Sequence, residues 1–302
     1  MKFKEIVFIF FSILIIAYAS VHTIKTSPVL EIQTIHLDSI EKIIDINDSL
    51  VAPVLYDSLL IDPLAPVLVR KKQFINQVLP AILIVRYQMQ QKSERVETIL
   101  RQKAQNAPVL TADSVFLDSL VQRYRATSYD NLLLRLKVHP NSLVLAQAAV
   151  ESGWGMSRFA SEGKNLFGVW TVSGDTKIIK SLNNRGETPI FVKRYDSIAE
   201  SIEHYFLTLG RHNAYRNFRR KRSEQEDVFE MIRELDKYSE QGEAYTLLLR
   251  KVIQWNNLQQ YDSYTIDPAY FKQEKWMKVQ WRKIYKHGFK KKKESNSDCS
   301  TR

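Results

Sequence analysis

The 302-residue sequence has almost no cysteine: its only one, Cys299, lies three residues before the end. One cysteine excludes a disulfide framework and a cysteine-based metal site. The six histidines are scattered, with no pair at the spacing of helical metal ligands. The HExxH, P-loop, GxGxxG and GxSxG patterns are also missing, so zinc proteases, nucleotide binders and serine hydrolases lose their usual sequence evidence. We therefore expect neither a metal nor a cofactor.

Glycine is scarce too, with nine residues, and helical patterns dominate the chain. The composition is 44% hydrophobic and 25% charged, as in a soluble globular protein. The net charge of +11 favours an anionic partner, such as nucleic acid, an acidic cell-wall polymer or a membrane face. Much of this charge lies in the run from Trp281 to Lys293, which is typical of a solvated tail.

The N-terminus indicates export. Lys2 and Lys4 precede an apolar run over residues 6–17, which is short for a membrane span and ends at the small-x-small sequence Ala17-Tyr18-Ala19. We interpret residues 1–19 as a signal peptide, with an uncleaved anchor as the alternative. The protein then acts outside the cytoplasmic membrane, in the periplasm or cell envelope, which argues against nucleic acid as a partner.

Composition and periodicity divide the rest of the chain. Apolar residues at helical spacing begin near Arg70, and Pro80 is expected to kink or divide the helix that they predict. A second helix is predicted from Thr111. The predicted organisation is a linker over 20–66, a helical preface over 67–128, a main domain over 129–260 and a basic tail over 261–302.

The main domain is predicted to be α+β and mostly α. A helix opened by Pro140 runs through several alanines to Glu151. The stretches "FGVWTV", "TKIIK" and "PIFVKRY" then predict short strands of a small antiparallel β-lobe. Helices resume at two capping-box patterns, "SIAE" from Ser197 and "SEQE" from Ser223.

Glu151 is the candidate catalytic residue, because it is a lone acid at the last turn of an alanine-rich helix. The partial negative charge of that helix end and the apolar neighbours both favour the protonated carboxyl. A protonated carboxyl is what a general acid needs at a glycosidic oxygen. Trp154 can offer a flat face to a sugar or to the core. On this pattern alone, a solvated glutamate is the commoner interpretation.

The stretch "LAQAAVESGWGMSRFASEGKNLFGVW" resembles the signature of the peptidoglycan N-acetylglucosaminidases of glycoside hydrolase family 73, most closely its Bax-type members. The resemblance continues in order through "YDSIAESIEHYFLTLGRHNAY" and "YSEQGEAYTLLLRKVIQ". It covers roughly residues 129–258, with weaker similarity around "FINQVLPAIL". It implies a lysozyme-like fold with Glu151 as the catalytic acid.

The resemblance implies roles for three further residues. Glu187 matches a second acidic position in the β-lobe, although a glutamate in such a turn is usually only solvated. Tyr238 matches an aromatic position of the cleft, and it can equally be a core residue. Asn165, with Phe167, lies in the "GKNLFG" stretch leading into the lobe; Asn165 is a candidate substrate contact, although both residues fit a structural role better.

The expected activity is hydrolysis of the β-1,4 bond after N-acetylglucosamine in peptidoglycan. The alternatives are a lytic transglycosylase and a non-catalytic wall-binding or scaffold protein. Retaining, inverting and substrate-assisted mechanisms all stay open, because the sequence does not give the distance between the two carboxylates. The expected partner is the peptidoglycan glycan strand, with a membrane involved only through an uncleaved N-terminal segment.

Overall fold

A computed structural model describes residues 28–171, 177–185, 188–224 and 227–272, with only the backbone of 181–185 and 188–190. The signal or anchor segment, the run from Trp281 to Lys293 and Glu187 lie outside these residues. Among the helices of the described ranges, none has the length and apolar character needed to cross a bilayer. Likewise, no three His, Cys, Asp or Glu side chains of these ranges are grouped so that they could hold a metal ion.

The described part of the chain is mostly helical, with short strands, which confirms the predicted fold class. The helices are α1 (Val67–Ala104), α2 (Thr111–Tyr124), α3 (Tyr129–Leu136), α4 (Asn141–Ser152), α5 (Arg158–Gly163), α6 (Ile198–Arg211), α7 (Arg216–Ser223), α8 (Val228–Arg233) and α9 (Glu243–Trp255). The strands are β1 (Val29–Leu30), β2 (Gln33–Ile35), β3 (Leu50–Val51), β4 (Val54–Tyr56), β5 (Trp170–Thr171), β6 (Ile178–Arg185), β7 (Thr188–Lys193), β8 (Thr265–Ile266) and β9 (Phe271–Lys272).

Helix α4 is the centre of the fold. All of its residues are buried except Val150 and Glu151, as expected for a helix that is surrounded by others. Helices α1, α8 and α9 and the 3-10 helix Leu258–Ser263 pack around it. Asp262 caps its first turn, because its carboxylate accepts hydrogen bonds from the Ser142 backbone N–H and hydroxyl, both at 2.7 Å.

Helix α1 is continuous, so the division expected at Pro80 is wrong. Every residue from Gln73 to Val85 is buried, and α1 packs against α3, α4 and α6. The packing of this segment outweighs the local cost of a proline inside a helix. The predicted preface is thus an integral part of the packed structure.

Residues 32–66, expected to be linker, are packed onto α1. Strand β2 pairs with β4 in parallel, and β3 pairs in parallel with β8 near the other end of the chain. Side-chain amides of α1 hold the backbone of this segment: Gln77 accepts from the Leu60 N–H at 2.9 Å, and Gln73 accepts from the Asp62 N–H at 3.1 Å. These bonds satisfy backbone groups that a short segment cannot pair by itself.

The chain divides into two units, residues 32–268 and residues 1–31 with 269–302. In the described part of the second unit, β1 pairs with β9 in antiparallel orientation. The larger unit contains the 3-10 helix Leu258–Ser263, so it continues past the predicted domain boundary at residue 260.

The β-lobe has the strand order β5-β7-β6 with antiparallel pairing, as predicted, and lies in the chain between α5 and α6. Helix α6 begins at the predicted cap, where the Ser197 hydroxyl accepts from the Glu200 N–H at 3.1 Å. The Glu200 side chain accepts from the Asp196 N–H at 2.9 Å, one residue before the N–H that completes a capping box. The second predicted capping box is wrong. Ser223 is the last residue of α7, and Asp227 caps α8 by accepting from the Phe229 N–H at 2.8 Å.

Candidate active site

The turn after α4 fixes the position of Glu151. Gly153, Trp154 and Gly155 all have left-handed backbone conformations, with φ of 58°, 57° and 79°. The Trp154 N–H donates to the Ala149 carbonyl at 2.8 Å, and the Gly155 N–H donates to the Ser152 hydroxyl at 2.8 Å. A left-handed tryptophan is a strained conformation that only well-packed surroundings maintain. The turn is therefore built to hold the helix end in one geometry.

Glu151 is half-buried at this helix end and forms no ion pair with a described residue. The hydroxyl of Tyr245 on α9 donates a hydrogen bond to its carboxyl group. Burial raises the pKa of Glu151 above its ordinary value, and the Tyr245 hydrogen bond opposes the shift without cancelling it. The result is a carboxyl group that favours its protonated form more than an exposed glutamate does.

A buried polar network supports this contact. Gln147, one helical turn before Glu151, donates through Nε2 to the Tyr245 hydroxyl at 3.0 Å. The Gln147 Oε1 accepts from the Tyr205 hydroxyl at 2.6 Å. Burial raises the pKa of both tyrosines, so both hydroxyls remain proton donors at neutral pH. The amide of Gln147 thus joins α6 and α9 and orients Tyr245 toward Glu151.

Tyr238 lies next to this network. Its ring stacks on that of Tyr245, with a centroid distance of 5.6 Å and an interplanar angle of 10°. Burial raises the pKa of Tyr238, and the negative charge of Glu151 raises it further, which places the two residues in the same electrostatic environment. Tyr238 therefore lies near Glu151, and its role as an aromatic residue of the cleft stays a prediction.

Two side chains of helix α1 contact the indole of Trp154. The Phe74 ring contacts it edge-on at a centroid distance of 5.6 Å, and the Lys71 ammonium lies 4.8 Å from the centre of the indole ring. Phe74 also closes the space at Gly155, where an added Cβ would be 3.0 Å from its ring. Much of the indole is thus packed within the protein.

Asn165 belongs to the scaffold. It is buried, and its Nδ2 donates to the carbonyls of Val169 at 3.0 Å and Lys193 at 2.8 Å. Its Oδ1 accepts from the Val169 N–H at 3.0 Å. Because these bonds occupy the amide within the protein, the geometry fits the structural role and not the substrate contact considered for it. Phe167 is likewise buried and stacks on Tyr205 at 4.3 Å.

The structure groups Glu151, Trp154 and Tyr238 around the end of α4, while Asn165 secures the entry to the β-lobe and Glu187 lies outside the described residues. The sequence analysis missed Gln147, Tyr245 and Lys71. Gln147 could have been found, because a residue four positions before a helical glutamate shares its face. Tyr245 and Lys71 gave no local signal, since they reach the site from other helices.

The glucosaminidase family model, described as mannosyl-glycoprotein endo-beta-N-acetylglucosaminidase, matches residues 126–280. The match covers about half of the chain, and the chain therefore belongs to this family of glycoside hydrolases, family 73, as the sequence motifs indicated.

The relatives include the protein bax of Escherichia coli strain K12. It is 31% identical over 202 residues, which are 62% of this chain and 70% of the bax protein.

Two solved structures are also similar. The catalytic domain of the autolysin Auto from Listeria monocytogenes is 23% identical, with a TM-score of 0.36, over 54% of this chain and 95% of that domain. The truncated glycoside hydrolase domain of FlgJ from Salmonella typhimurium is 22% identical, with a TM-score of 0.33, over 46% of this chain and 96% of that domain. At these TM-scores, the family assignment depends on the family model and on bax.

Proposed function

We propose that this protein is an endo-β-N-acetylglucosaminidase that hydrolyses the β-1,4 bond after N-acetylglucosamine in peptidoglycan, with Glu151 as the general acid. The observation that carries the proposal is the half-buried Glu151 carboxyl, which the turn over 153–155 holds at the end of α4 and whose pKa is raised by burial. A glycoside hydrolase needs a carboxylic acid that stays protonated until it meets the leaving-group oxygen.

Burial and the Tyr245 hydrogen bond have opposite effects on the pKa of Glu151, and each favours one state of the acid during proton transfer. Burial favours the neutral acid before the reaction. As the glycosidic C–O bond breaks, the proton moves from Glu151 to the departing oxygen, and the new carboxylate accepts the hydrogen bond from Tyr245. Tyr245 is therefore a positioning residue that stabilises the product state of the acid.

The proposed second carboxylate is Glu187 in the β-lobe. In an inverting or retaining reaction, it would activate water or attack the sugar as the nucleophile. In a substrate-assisted reaction, the acetamido group of the sugar replaces it. In each of these reactions, water supplies the hydroxyl group of the new reducing end and the proton that restores the acid.

The proposed location is the cell envelope. The charged start, the apolar run and the Ala17-Tyr18-Ala19 sequence support export, and the substrate lies outside the cytoplasmic membrane. The net charge of +11 supports association with an acidic polymer. Trp154 and Tyr238 are the proposed aromatic contacts to the glycan strand.

The test is mass spectrometry of the products from purified peptidoglycan. We expect new reducing ends at N-acetylglucosamine, and we expect the Glu151→Gln variant to lose at least about 10²-fold in rate, because Gln has no proton to give. Folding of the variant is checked by circular dichroism.

Anhydro sugars in the products would favour a lytic transglycosylase. If wild type binds the glycan without forming any product, the non-catalytic alternative holds. Substantial residual activity in Glu151→Gln would remove Glu151 from its role as the acid.

A further inference from the structure

We propose that Lys71, on the N-terminal helix α1, binds a carboxylate of the peptidoglycan substrate and so selects strands with acidic stem peptides. This inference rests on the proposed function, since it names a substrate feature that the same site recognises. Lys71 lies outside residues 126–280, the part of the chain that the family model matches.

Lys71 is a half-buried cation held in a defined position. Its Nζ donates to the Asn256 Oδ1 at 2.6 Å and lies 4.8 Å from the centre of the Trp154 ring. The Asn256 Nδ2 donates to the Val252 carbonyl at 2.7 Å, which leaves its oxygen for Lys71. A lysine on a flexible stem is thus anchored on two sides before any ligand arrives, which lowers the entropic cost of binding.

The charge of Lys71 has no acidic partner among the described residues, because none of the ion pairs found there includes it. Its neighbour Lys72 differs: it is exposed and pairs with Asp45 at 2.7 Å. An ammonium group has three donors, and Asn256 and the indole ring of Trp154 engage the group without neutralising it. A partly buried cation with free donor capacity favours an anionic oxygen ligand.

The position of Lys71 fits a substrate contact away from the scissile bond. Trp154 follows Glu151 by three residues in the turn after α4, so its indole lies between the Glu151 end of the helix and the Lys71 ammonium. Along α9, Tyr245 and Asn256 are separated by eleven positions, or about 16 Å of helix. Lys71 therefore meets a part of the strand beyond the sugars at the cleavage point. Binding there is the same in the ground and transition states, so it lowers KM and leaves kcat unchanged.

The carboxylates of peptidoglycan are those of its stem peptides, whereas the sugar hydroxyl and acetamido groups are neutral. A cation–carboxylate contact at a half-buried site changes affinity by about tenfold and weakens with salt. The net charge of +11 attracts any anion. If the preference for free carboxylates depends on a single residue, that residue must be a cation held in a fixed position, such as Lys71.

The experiment measures binding in the full-length Glu151→Gln background, where no cleavage changes the ligand. The ligands are soluble glycan–peptide fragments with free carboxylates and the same fragments after conversion of the carboxylates to amides. We expect the free-carboxylate form to bind about tenfold tighter, and we expect this ratio to fall to about one in Lys71→Gln. Lys71→Arg should keep the preference, and the matched control Lys72→Gln should leave it intact.

An unchanged ratio in Lys71→Gln would overturn the inference. An equal loss of affinity for both ligands would also overturn it, because Lys71 would then only support Trp154. If wild type cleaves no peptidoglycan but the ratio still depends on Lys71, the proposed activity fails and the binding role stands. If neither fragment binds, the inference about Lys71 fails, while product analysis with wild type still decides the proposed activity.

Discussion

Two opposing influences act on the Glu151 carboxyl, and the weaker one can be removed separately. Tyr245→Phe deletes the hydrogen bond that lowers the pKa of Glu151 and keeps the burial that raises it. The pKa should therefore rise further. Because the acid must be protonated to act, the alkaline limb of the kcat/KM profile should move to higher pH. The measurement is a pH–rate profile on peptidoglycan.

The control is Tyr124→Phe, which makes the same change at a buried tyrosine whose hydroxyl contacts Met89. Its profile should match that of wild type. A shift of the Tyr245→Phe limb to lower pH would contradict the assignment of Glu151 as the acid.

The raised pKa of Glu151 also predicts a cost in stability. A carboxyl group whose pKa is higher in the folded state favours folding when it is protonated, and this contribution is lost as pH rises through the folded-state pKa. Above that pKa, Glu151→Gln should therefore be more stable than wild type. At acidic pH the two should converge. Urea unfolding at neutral and acidic pH measures the difference.

Glu162→Gln is the matched control for this comparison, because Glu162 is an exposed glutamate on α5. Its effect on the free energy of unfolding should stay within about 0.5 kcal/mol at both pH values. If the Glu151→Gln variant were less stable than wild type at neutral pH, burial would not be the dominant influence on this carboxyl.

Glu187 separates the mechanistic routes. If it activates water, Glu187→Ala should lower turnover by about 10²–10⁴-fold with little loss of substrate binding, because it acts in the transition state. If the acetamido group replaces it, the loss should be far smaller. Steady-state kinetics with product analysis distinguishes the two. Near-normal turnover would leave Glu151 as the only catalytic carboxylate proposed.

At the scale of elements, α1 supports the catalytic turn. Phe74 is fully buried and contacts both Trp154 and the space beside Gly155. Phe74→Ala should lower the free energy of unfolding by about 3–5 kcal/mol and should also reduce kcat/KM, since the turn that positions Glu151 loses its support. Chemical unfolding and kinetics on the folded variant test both effects.

Leu68→Ala is the control on the same helix, because Leu68 is 79% exposed. Its effect on the free energy of unfolding should stay within about 0.5 kcal/mol. Equal effects of the two substitutions would mean that the contact of Phe74 with the turn contributes to neither stability nor activity.

Local sequence signals predicted the elements whose causes are local. The alanine-rich run after Pro140 predicted α4, and the Ser197–Glu200 pattern predicted the start of α6. The pattern at Ser223 failed because Asp227 lies directly before α8 and competes as a cap, while the Ser223 hydroxyl donates to the Arg220 carbonyl. Sequence spacing alone does not decide between two caps four residues apart.

The missed features depend on partners far away in sequence. Strand β3 is two residues long, so no alternation within it could mark it as a strand. It exists because Thr265 and Ile266 pair with it. The same reason hides Lys71, whose importance comes only from its proximity to Trp154 and Asn256. These contacts are tertiary, and a single sequence carries no pattern for them.

For the whole molecule, the export proposal predicts the first residue of the mature chain. Cleavage after Ala19 should leave Ser20 at the N-terminus, and the uncleaved anchor would keep Met1 on membrane-bound protein. N-terminal sequencing of the native protein decides between them. Ala19→Phe should block processing if the signal peptide is cleaved there, because that position needs a small residue.

The parallel pairing of β3 with β8 joins two segments, or arms, near the two ends of the larger unit. The Thr265 N–H donates to the Ser49 carbonyl at 2.9 Å, and the Asp267 N–H donates to the Val51 carbonyl at 3.0 Å. Closing a loop of this length costs configurational entropy that so short a pairing does not repay by itself. The two arms therefore join only after the helices have brought them together, which makes this contact a late step in folding. Within the described residues, β3 and β8 each pair only with the other, so a cut in one arm removes this pairing and leaves the other arm held only by its packing on the helices.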